Sequence, residues 1–266
     1  MLRPRIIPVL LIHQGGLVKT VRFKDPKYVG DPLNAVRIFN EKEVDELTVL
    51  DIDATAQGRE PDFELIARMA AECRMPLCYG GGVNSVAHAR RIVSLGVEKV
   101  AISSAAIERP ELVREVAKAV GRQSVVVVLD VKRSLLGRHT VWTHNGKINR
   151  KLDPIAQAQF LESCGAGEVV INSIDQDGTM AGYDLKLARA VREACSIPLT
   201  MVGGAGSHEH LSELIARFPI VGAAAGSLFV FKGKYRAVLI SYPTAEQKRT
   251  ILAAANHGSA RNERAA

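Results

Sequence analysis

Val125-Val126-Val127-Val128-Leu129-Asp130-Val131-Lys132-Arg133 is the stretch on which the fold turns. Four consecutive β-branched apolar residues without polar alternation predict a strand buried on both faces, as in a parallel sheet covered by helices. The run ends on a carboxylate followed by two cations. A charge at the C-terminal tip of a buried parallel strand stands where α/β folds place their chemistry. Asp130 is therefore a candidate catalytic residue, although a strand-end aspartate that only caps the next turn leaves the same local pattern.

Working outward from that strand, the same rhythm recurs on both sides. Upstream, residues 5–12 (RIIPVLLI), 46–52, 76–79 and 99–103 read as strands. Helices open at Asp31-Pro32, near Pro61, at Asn84 and at Arg109-Pro110; Asp at an N-cap followed by Pro at the first helical position is a strong start signal. Residues 14–30 are polar and glycine-containing, long for a connection, and so a functional-loop candidate. Downstream, residues 139–149 alternate around Asn145-Gly146, which predicts a β-hairpin inserted after the fifth strand. Residues 168–173, 199–202 and 221–225 complete eight strands, with helices over 154–164, 185–195 and 208–218. The expectation is an α/β protein, a single (β/α)₈ TIM barrel over 1–243, with a doubly wound open sheet as the alternative. Residues 244–266 read as a C-terminal tail, helical or disordered.

An internal repeat favours the barrel. Residues 75–85 (MPLCYGGGVNS) match 197–207 (IPLTMVGGAGS) at an offset of 122, and Glu46 to Asp53 match Glu168 to Asp175 at the same offset. Val9-Leu10-Leu11 matches Val128-Leu129-Asp130 at 119. The chain is two similar four-strand halves, each too small to close alone.

Gly80-Gly81-Gly82 and Gly203-Gly204 follow the third and seventh strands, and each precedes a helix. Without a Cβ, such residues let backbone N–H groups turn toward an anion at a helix N-terminus. Ser103-Ser104 and Gly226-Ser227 follow the neighbouring strands. Together with Gly178 these form candidate phosphate cradles, one per half, suited to a phosphorylated small molecule. Lys19, Asp51, Asp177 and Thr179 are candidate substrate-binding residues, though Asp177-Gly178-Thr179 is also an ordinary turn sequence. No Ser/His/Asp arrangement or metal-ligand cluster emerges; His208 and His210 lie two apart on a helix and point away from each other. Neither a metal nor a cofactor is expected.

Composition bounds the rest. The chain has 266 residues, 47% hydrophobic and 24% charged, as in an ordinary globular protein. No apolar run is long enough to span a membrane, and the N-terminus leads straight into a strand rather than a signal peptide. Cys73, Cys78, Cys164 and Cys195 show no CxxC spacing, which points to reduced thiols in a cytoplasmic protein. The net charge of +7 is scattered rather than striped, so nucleic acid is not an expected partner and an anionic substrate suits it equally well.

Taken together, Arg5-Ile-Ile, Gly30-Asp-Pro, Asp45-Glu-Leu with Leu50-Asp-Ile, Gly80-Gly-Gly, Asp130-Val-Lys-Arg, Ser173-Ile-Asp-Gln-Asp-Gly-Thr with Gly182-Tyr-Asp, and Gly203-Gly-Ala-Gly resemble the HisF-type cyclase subunit of imidazole glycerol phosphate synthase, over about residues 3–231. The resemblance implies a half-barrel-duplicated fold with its active site at the C-terminal rim. It implies a lyase-type subunit that takes ammonia through the barrel from a HisH-like glutaminase subunit docked at the N-terminal face, with Glu98 at a contact position. It further implies that Arg5, Glu46, Lys99 and Glu168 form a charged ammonia gate at the barrel bottom; a merely structural ion-pair ring is the alternative. Two aspartates, one per half, would act as acid and base on a bisphosphorylated ribonucleotide. Asp130 is one of them, but Leu11 stands where the other belongs, and His13-Gln14 replaces a lysine–aspartate pair. Keeping the conduit while losing half the dyad resembles the acetamidino-modification paralogues of surface-polysaccharide (lipopolysaccharide O-antigen) biosynthesis, as does the ending from Lys234 to Pro243. In that group a separate sugar amidotransferase is a further partner. The sequence thus leaves three expectations: ammonia delivery for acetamidino-sugar formation, the cyclase of histidine biosynthesis, and a non-catalytic scaffold that activates a glutaminase.

Overall fold

A computed structural model describes residues 3–134 and 137–262, with side chains as far as residue 253. The chain opens with β1 (Arg5–His13), turns back into an antiparallel pair, β2 (Gly16–Val21) and β3 (Lys24–Gly30), and enters α1 (Pro32–Glu41). Next come β4 (Leu47–Asp51), α2 (Phe63–Glu72), β5 (Leu77–Gly80), α3 (Val86–Ser94), β6 (Lys99–Ile102), α4 (Ser104–Glu108) and α5 (Glu111–Val120). The second half runs β7 (Val125–Arg133), the hairpin β8 (His139–Thr143) and β9 (Ile148–Asn149), α6 (Pro154–Ser163) and β10 (Glu168–Ser173). It continues with α7 (Leu185–Ala194), β11 (Leu199–Val202), α8 (His208–Arg217), β12 (Val221–Ala225) and α9 (Ser227–Val230). A short ribbon, β13 (Phe231–Lys232) and β14 (Ala237–Val238), leads to α10 (Ala245–Asn262).

Strands β1, β4, β5, β6, β7, β10, β11 and β12 pair in parallel in that order, and β12 returns to β1 with Arg5 opposite Gly222. The sheet therefore closes on itself, which excludes the open doubly wound alternative. The valine run divides as a doubly buried strand must: Val125, Val127 and Leu129 pack outward under the helices, while Val126 and Val128 pack inside the barrel. The repeat extends to the helix starts. Asp31 and Asp153 cap α1 and α6, Asp62 and Asp184 cap α2 and α7, and Ser85 and Ser207 cap α3 and α8, each accepting a backbone N–H of the first turn. Each such cap stabilises its helix by about 1 kcal/mol.

Residues 14–30, expected as a loop, are instead the antiparallel ribbon β2–β3. Its polar-and-apolar alternation is broken by register shifts between Leu17 and Val18 and between Lys19 and Val21, so no period of two was legible. The first half thereby carries the counterpart of the β8–β9 hairpin. In the latter, His144, Asn145 and Gly146 all have positive φ, the geometry that Asn-Gly tolerates best. In the tail, α10 packs on α8 and buries Ile251; residues 263–266 lie outside the described residues.

Candidate functional site

The bottom of the barrel is built from residues at the starts of β1, β6 and β10 and from Glu46, which immediately precedes β4. Arg5 Nη2 donates to Glu168 at 2.8 Å, and Arg5 Nη1 pairs with Glu46. Lys99 Nζ lies 2.8 Å from both Glu46 and Glu168. Each cation bridges both acids, so the four side chains form a closed ring, and the Thr200 hydroxyl adds a 2.6 Å hydrogen bond to Glu168. Burial opposes the charges of Arg5, Lys99 and Glu168, yet the pairing outweighs it. Arg5 and Lys99 are held above their usual values by Glu168 and Glu46, and Glu168 is held below its usual value by Arg5 and Lys99. Glu98, exposed beside the ring, accepts the Leu77 N–H at 2.7 Å.

Above the ring the barrel interior is lined by small side chains interspersed with β-branched ones such as Ile7, Val9 and Val128. Thr48, Cys78, Ala101, Val126, Val170, Thr200 and Ala224 line a cavity that begins at Glu46 and Glu168 and ends at the strand tips around Asp130. Barrels usually fill this space with bulky branched layers; the alanine, threonine and cysteine positions leave it open.

Asp130 stands at the mouth, 9% exposed. Its Oδ1 accepts a 3.0 Å hydrogen bond from Asn172 Nδ2. Burial pushes the carboxyl up to about 7, with Asp177 adding to the rise and the Asn172 bond opposing it. An acid near neutrality can both donate and accept protons. Lys19, on β2, is equally buried; desolvation lowers its ammonium to about 8, against the pull of Asp177, and it donates to the Val9 carbonyl. A Cβ built on Gly226 would lie 2.7 Å from Lys19 Nζ, so the ammonium hangs over the β12 end of the rim.

The glycine clusters behave as a repeated pair. Gly81 has φ +119° and a Cβ there would meet the Asp51 carbonyl at 2.4 Å; Gly203 has φ +98° and its Cβ would meet the Ser173 carbonyl at 2.7 Å. Only glycine fits either turn. Gly81, Gly82, Ser103, Ser104, Gly178, Gly203, Gly204, Gly226 and Ser227 all line the same cavity as Asp130, together with Lys19, Asp51 and Asp177. Two of these groups are engaged internally. The Gly82 N–H donates to Thr55 at 3.2 Å, and Ser104 Oγ accepts the His144 N–H at 3.1 Å.

Thr179 stands apart from the rest. It is not among the cavity-lining residues, and its hydroxyl donates to the Gln176 carbonyl at 2.9 Å, closing the turn. The acids have local partners too. Asp51 accepts the N–H groups of Asp53 and Ala54 at 2.8 and 3.0 Å, and Asp177 accepts the Thr20 hydroxyl at 2.7 Å and the Phe23 N–H at 3.1 Å. Beyond Leu11 on β1, His13 Nδ1 lies 2.8 Å from Asp53. Leu11 itself lines the cavity, opposite Leu50 in the β1–β4 register. Sequence reasoning overlooked Asn172, Thr200, Asn145 and Phe23. For Asn172 a signal existed, since the repeat offset pairs it with Leu50, a polar-for-apolar exchange at an inward strand position. Among the described residues no group of three or more His, Cys, Asp or Glu could hold a metal ion, and no helix is long and apolar enough to cross a membrane.

The family model for "Histidine biosynthesis protein" matches residues 5–236. Three relatives bear the name "Putative imidazole glycerol phosphate synthase subunit". The hisF3 protein of Vibrio vulnificus (strain YJ016) is 56% identical over 253 residues, 95% of this chain and 97% of the relative. The HisF protein of Leptospira borgpetersenii is 53% identical over 94% of this chain and 99% of its own length. The hisF2 protein of Pseudomonas aeruginosa is 53% identical over 91% and 97%. A closed, duplicated barrel and identities of 53–56% along nearly the whole length lead to one assignment: the chain belongs to the histidine biosynthesis protein family and, within it, groups with these HisF-type proteins.

Proposed function

We propose that the chain receives ammonia through the Arg5–Glu46–Lys99–Glu168 ring from a HisH-like glutaminase subunit at the N-terminal face. In this reading it brings the ammonia to a phosphorylated ligand held at the mouth. One observation carries the proposal: a single cavity is lined both by the acids of the ring and by Asp130 with the glycine turns. Ammonia entering at the bottom meets walls of Cys78, Ala101, Val126 and Thr200 rather than bulk water, and emerges beside a carboxyl that titrates near 7. The relatives' names favour the reaction of histidine biosynthesis. There ammonia and a bisphosphorylated ribonucleotide yield imidazole glycerol phosphate and an aminoimidazole carboxamide ribonucleotide. Gly81, Gly82, Ser103 and Ser104 in one half, and Gly203, Gly204, Gly226, Ser227 and Gly178 in the other, would hold the two phosphates. Lys19, Asp51 and Asp177 would meet the intervening groups.

Leu11 favours a second reading. Aspartate pairs of this kind exchange protons in two places, and leucine exchanges none. Losing one positioned acid–base group costs about 10²–10⁴-fold in rate. The acetamidino-sugar reading, in which the barrel hands ammonia to a sugar amidotransferase, removes the need for the second acid. The purified chain with ammonium and the bisphosphorylated ribonucleotide separates the two. Production of imidazole glycerol phosphate supports the first. Its absence, with amidine formed on co-expression with a glutaminase and an amidotransferase, supports the second. Neither product, with glutaminase stimulation alone, leaves the scaffold role. Leu11→Asp is expected to raise any residual cyclisation; an unchanged rate would mean that the rest of the mouth has diverged as well.

A further inference from the structure

Among the matched positions at which the two halves of the barrel differ, one pair faces across neighbouring strands. In the second half, Asp130 on β7 lies opposite Asn172 on β10, and Asn172 Nδ2 donates to Asp130 Oδ1 at 3.0 Å. In the first half, the repeat-equivalent residues are Leu11 on β1 and Leu50 on β4, which lie opposite each other in the same register. All four line the cavity. The acid and the amide are thus present together in one half and replaced together by leucines in the other.

We infer that Asn172 is a positioning residue for Asp130, holding its Oδ1 and presenting Oδ2 to the cavity for proton exchange with the ligand. An amide suits the task. It donates to the ionised carboxylate without a charge of its own, and it cannot take the proton that the acid must exchange. The charged groups that share the cavity with Asp130 are Lys19 from β2, Asp51 at the end of β4, Asp177 after β10, and Glu46 and Glu168 in the ring. Of these Asp177 repels the carboxylate and Asn172 favours it, so the donated hydrogen bond is what keeps a buried acid titrating near 7 rather than higher. The proposal rests on the reading in which Asp130 exchanges a proton with the ligand, but its physical core can be measured without any substrate.

The experiment follows the Asp130 side-chain carboxyl by carbon-13 NMR across pH 4–10 in the full chain, with Asp130→Asn identifying the signal. Asn172→Leu, the change that makes the second half like the first, should raise the titration midpoint by about one unit. Asn172→Ala serves if the leucine variant does not fold. For any ammonia-dependent reaction that needs the ionised form, the rate at pH 7 should then fall about fivefold, with the acidic limb displaced alkaline and the KM for the phosphorylated ligand held. A converse pair tests the same register geometry in the first half: the carboxyl introduced by Leu11→Asp should titrate lower in Leu11→Asp/Leu50→Asn than in Leu11→Asp alone. A midpoint unmoved in a folded Asn172 variant overturns the positioning role. If the midpoint moves while Asp130→Asn leaves turnover unchanged, the hydrogen bond stands and the proton-exchange reading of Asp130 fails instead.

Discussion

Asp130 is an acid kept in a place that disfavours its charge. A carboxyl whose folded value is raised binds its proton more tightly in the native state than in the unfolded chain, so its contribution to stability declines as pH rises from about 4 through about 7. Asp130→Asn removes that burden while keeping a partner for Asn172. The unfolding midpoint of this variant should therefore exceed that of the parent by several degrees at pH 8 and by little at pH 4.5. A uniform change at both values would place the effect in packing rather than ionisation. Lys19 makes a second case. Burial lowers its ammonium to about 8, so the positive charge over Gly226 is lost as pH climbs through that value. Affinity for a phosphate monoester, followed by calorimetry, should fall over the same range, and Lys19→Met should reduce it at pH 7 by roughly tenfold or more, the worth of one charge-assisted hydrogen bond.

At the level of elements, each half extends its first barrel strand into an antiparallel ribbon, and the two ribbons meet over the mouth. A Cβ on Gly146, in the β8–β9 turn, would come within 3.3 Å of the Phe23 ring in the β2–β3 turn, and Asn145 donates to the Ile52 carbonyl. Asp177 ties β2 down through Thr20 and Phe23. At the opposite end, the segment before α10 clasps the residues next to the charged ring. The Tyr242 hydroxyl donates to the Ile6 carbonyl at 2.9 Å and accepts the Asp45 N–H at 3.3 Å, while Asp45 accepts the Ile6 N–H at 2.9 Å and pairs with Lys248. Ile6 and Asp45 adjoin Arg5 and Glu46, so the tail fixes the backbone from which two ring members project. Tyr242→Phe leaves those partners short of one hydroxyl and should cost about 1–2 kcal/mol in urea unfolding, with phosphate affinity untouched.

For the molecule as a whole, the ring at the bottom and the acid at the top are connected by the narrow side chains between them, and the ring's four charges are stable only as a set. Removing one partner of a buried pair strands the others, at about 3–5 kcal/mol. Lys99→Ala should therefore lower stability by that order and, in complex with a glutaminase, separate glutamine consumption from product formation. Tight coupling in a folded Lys99→Ala complex would remove the ring from the ammonia path.

Much of this architecture is legible in the order of the amino acids. A run such as Val125–Leu129 can only be a doubly covered strand, Asp31-Pro32 and Asp153-Pro154 announce helix starts, and the 122-residue repeat requires two equal halves. The lining glycines are legible as clusters between a strand and a helix, and the structure supplies the reason, positive φ and close carbonyls at Gly81 and Gly203. These are local constraints of burial period, capping and backbone sterics, and adjacent residues suffice to express them. The ribbon at 14–30, the seat of Tyr242 and the pairing of Asn172 with Asp130 are of another kind. The ribbon depends on lateral register between short neighbouring strands, and the other two on segments 42 to more than 230 residues apart coming together, which only the folded sheet decides. The chain's sequence thus determined a duplicated barrel with one acid at its rim. The tertiary structure decided which neighbour answers that acid, because a hydrogen bond across two strands exists only once the register between them is set.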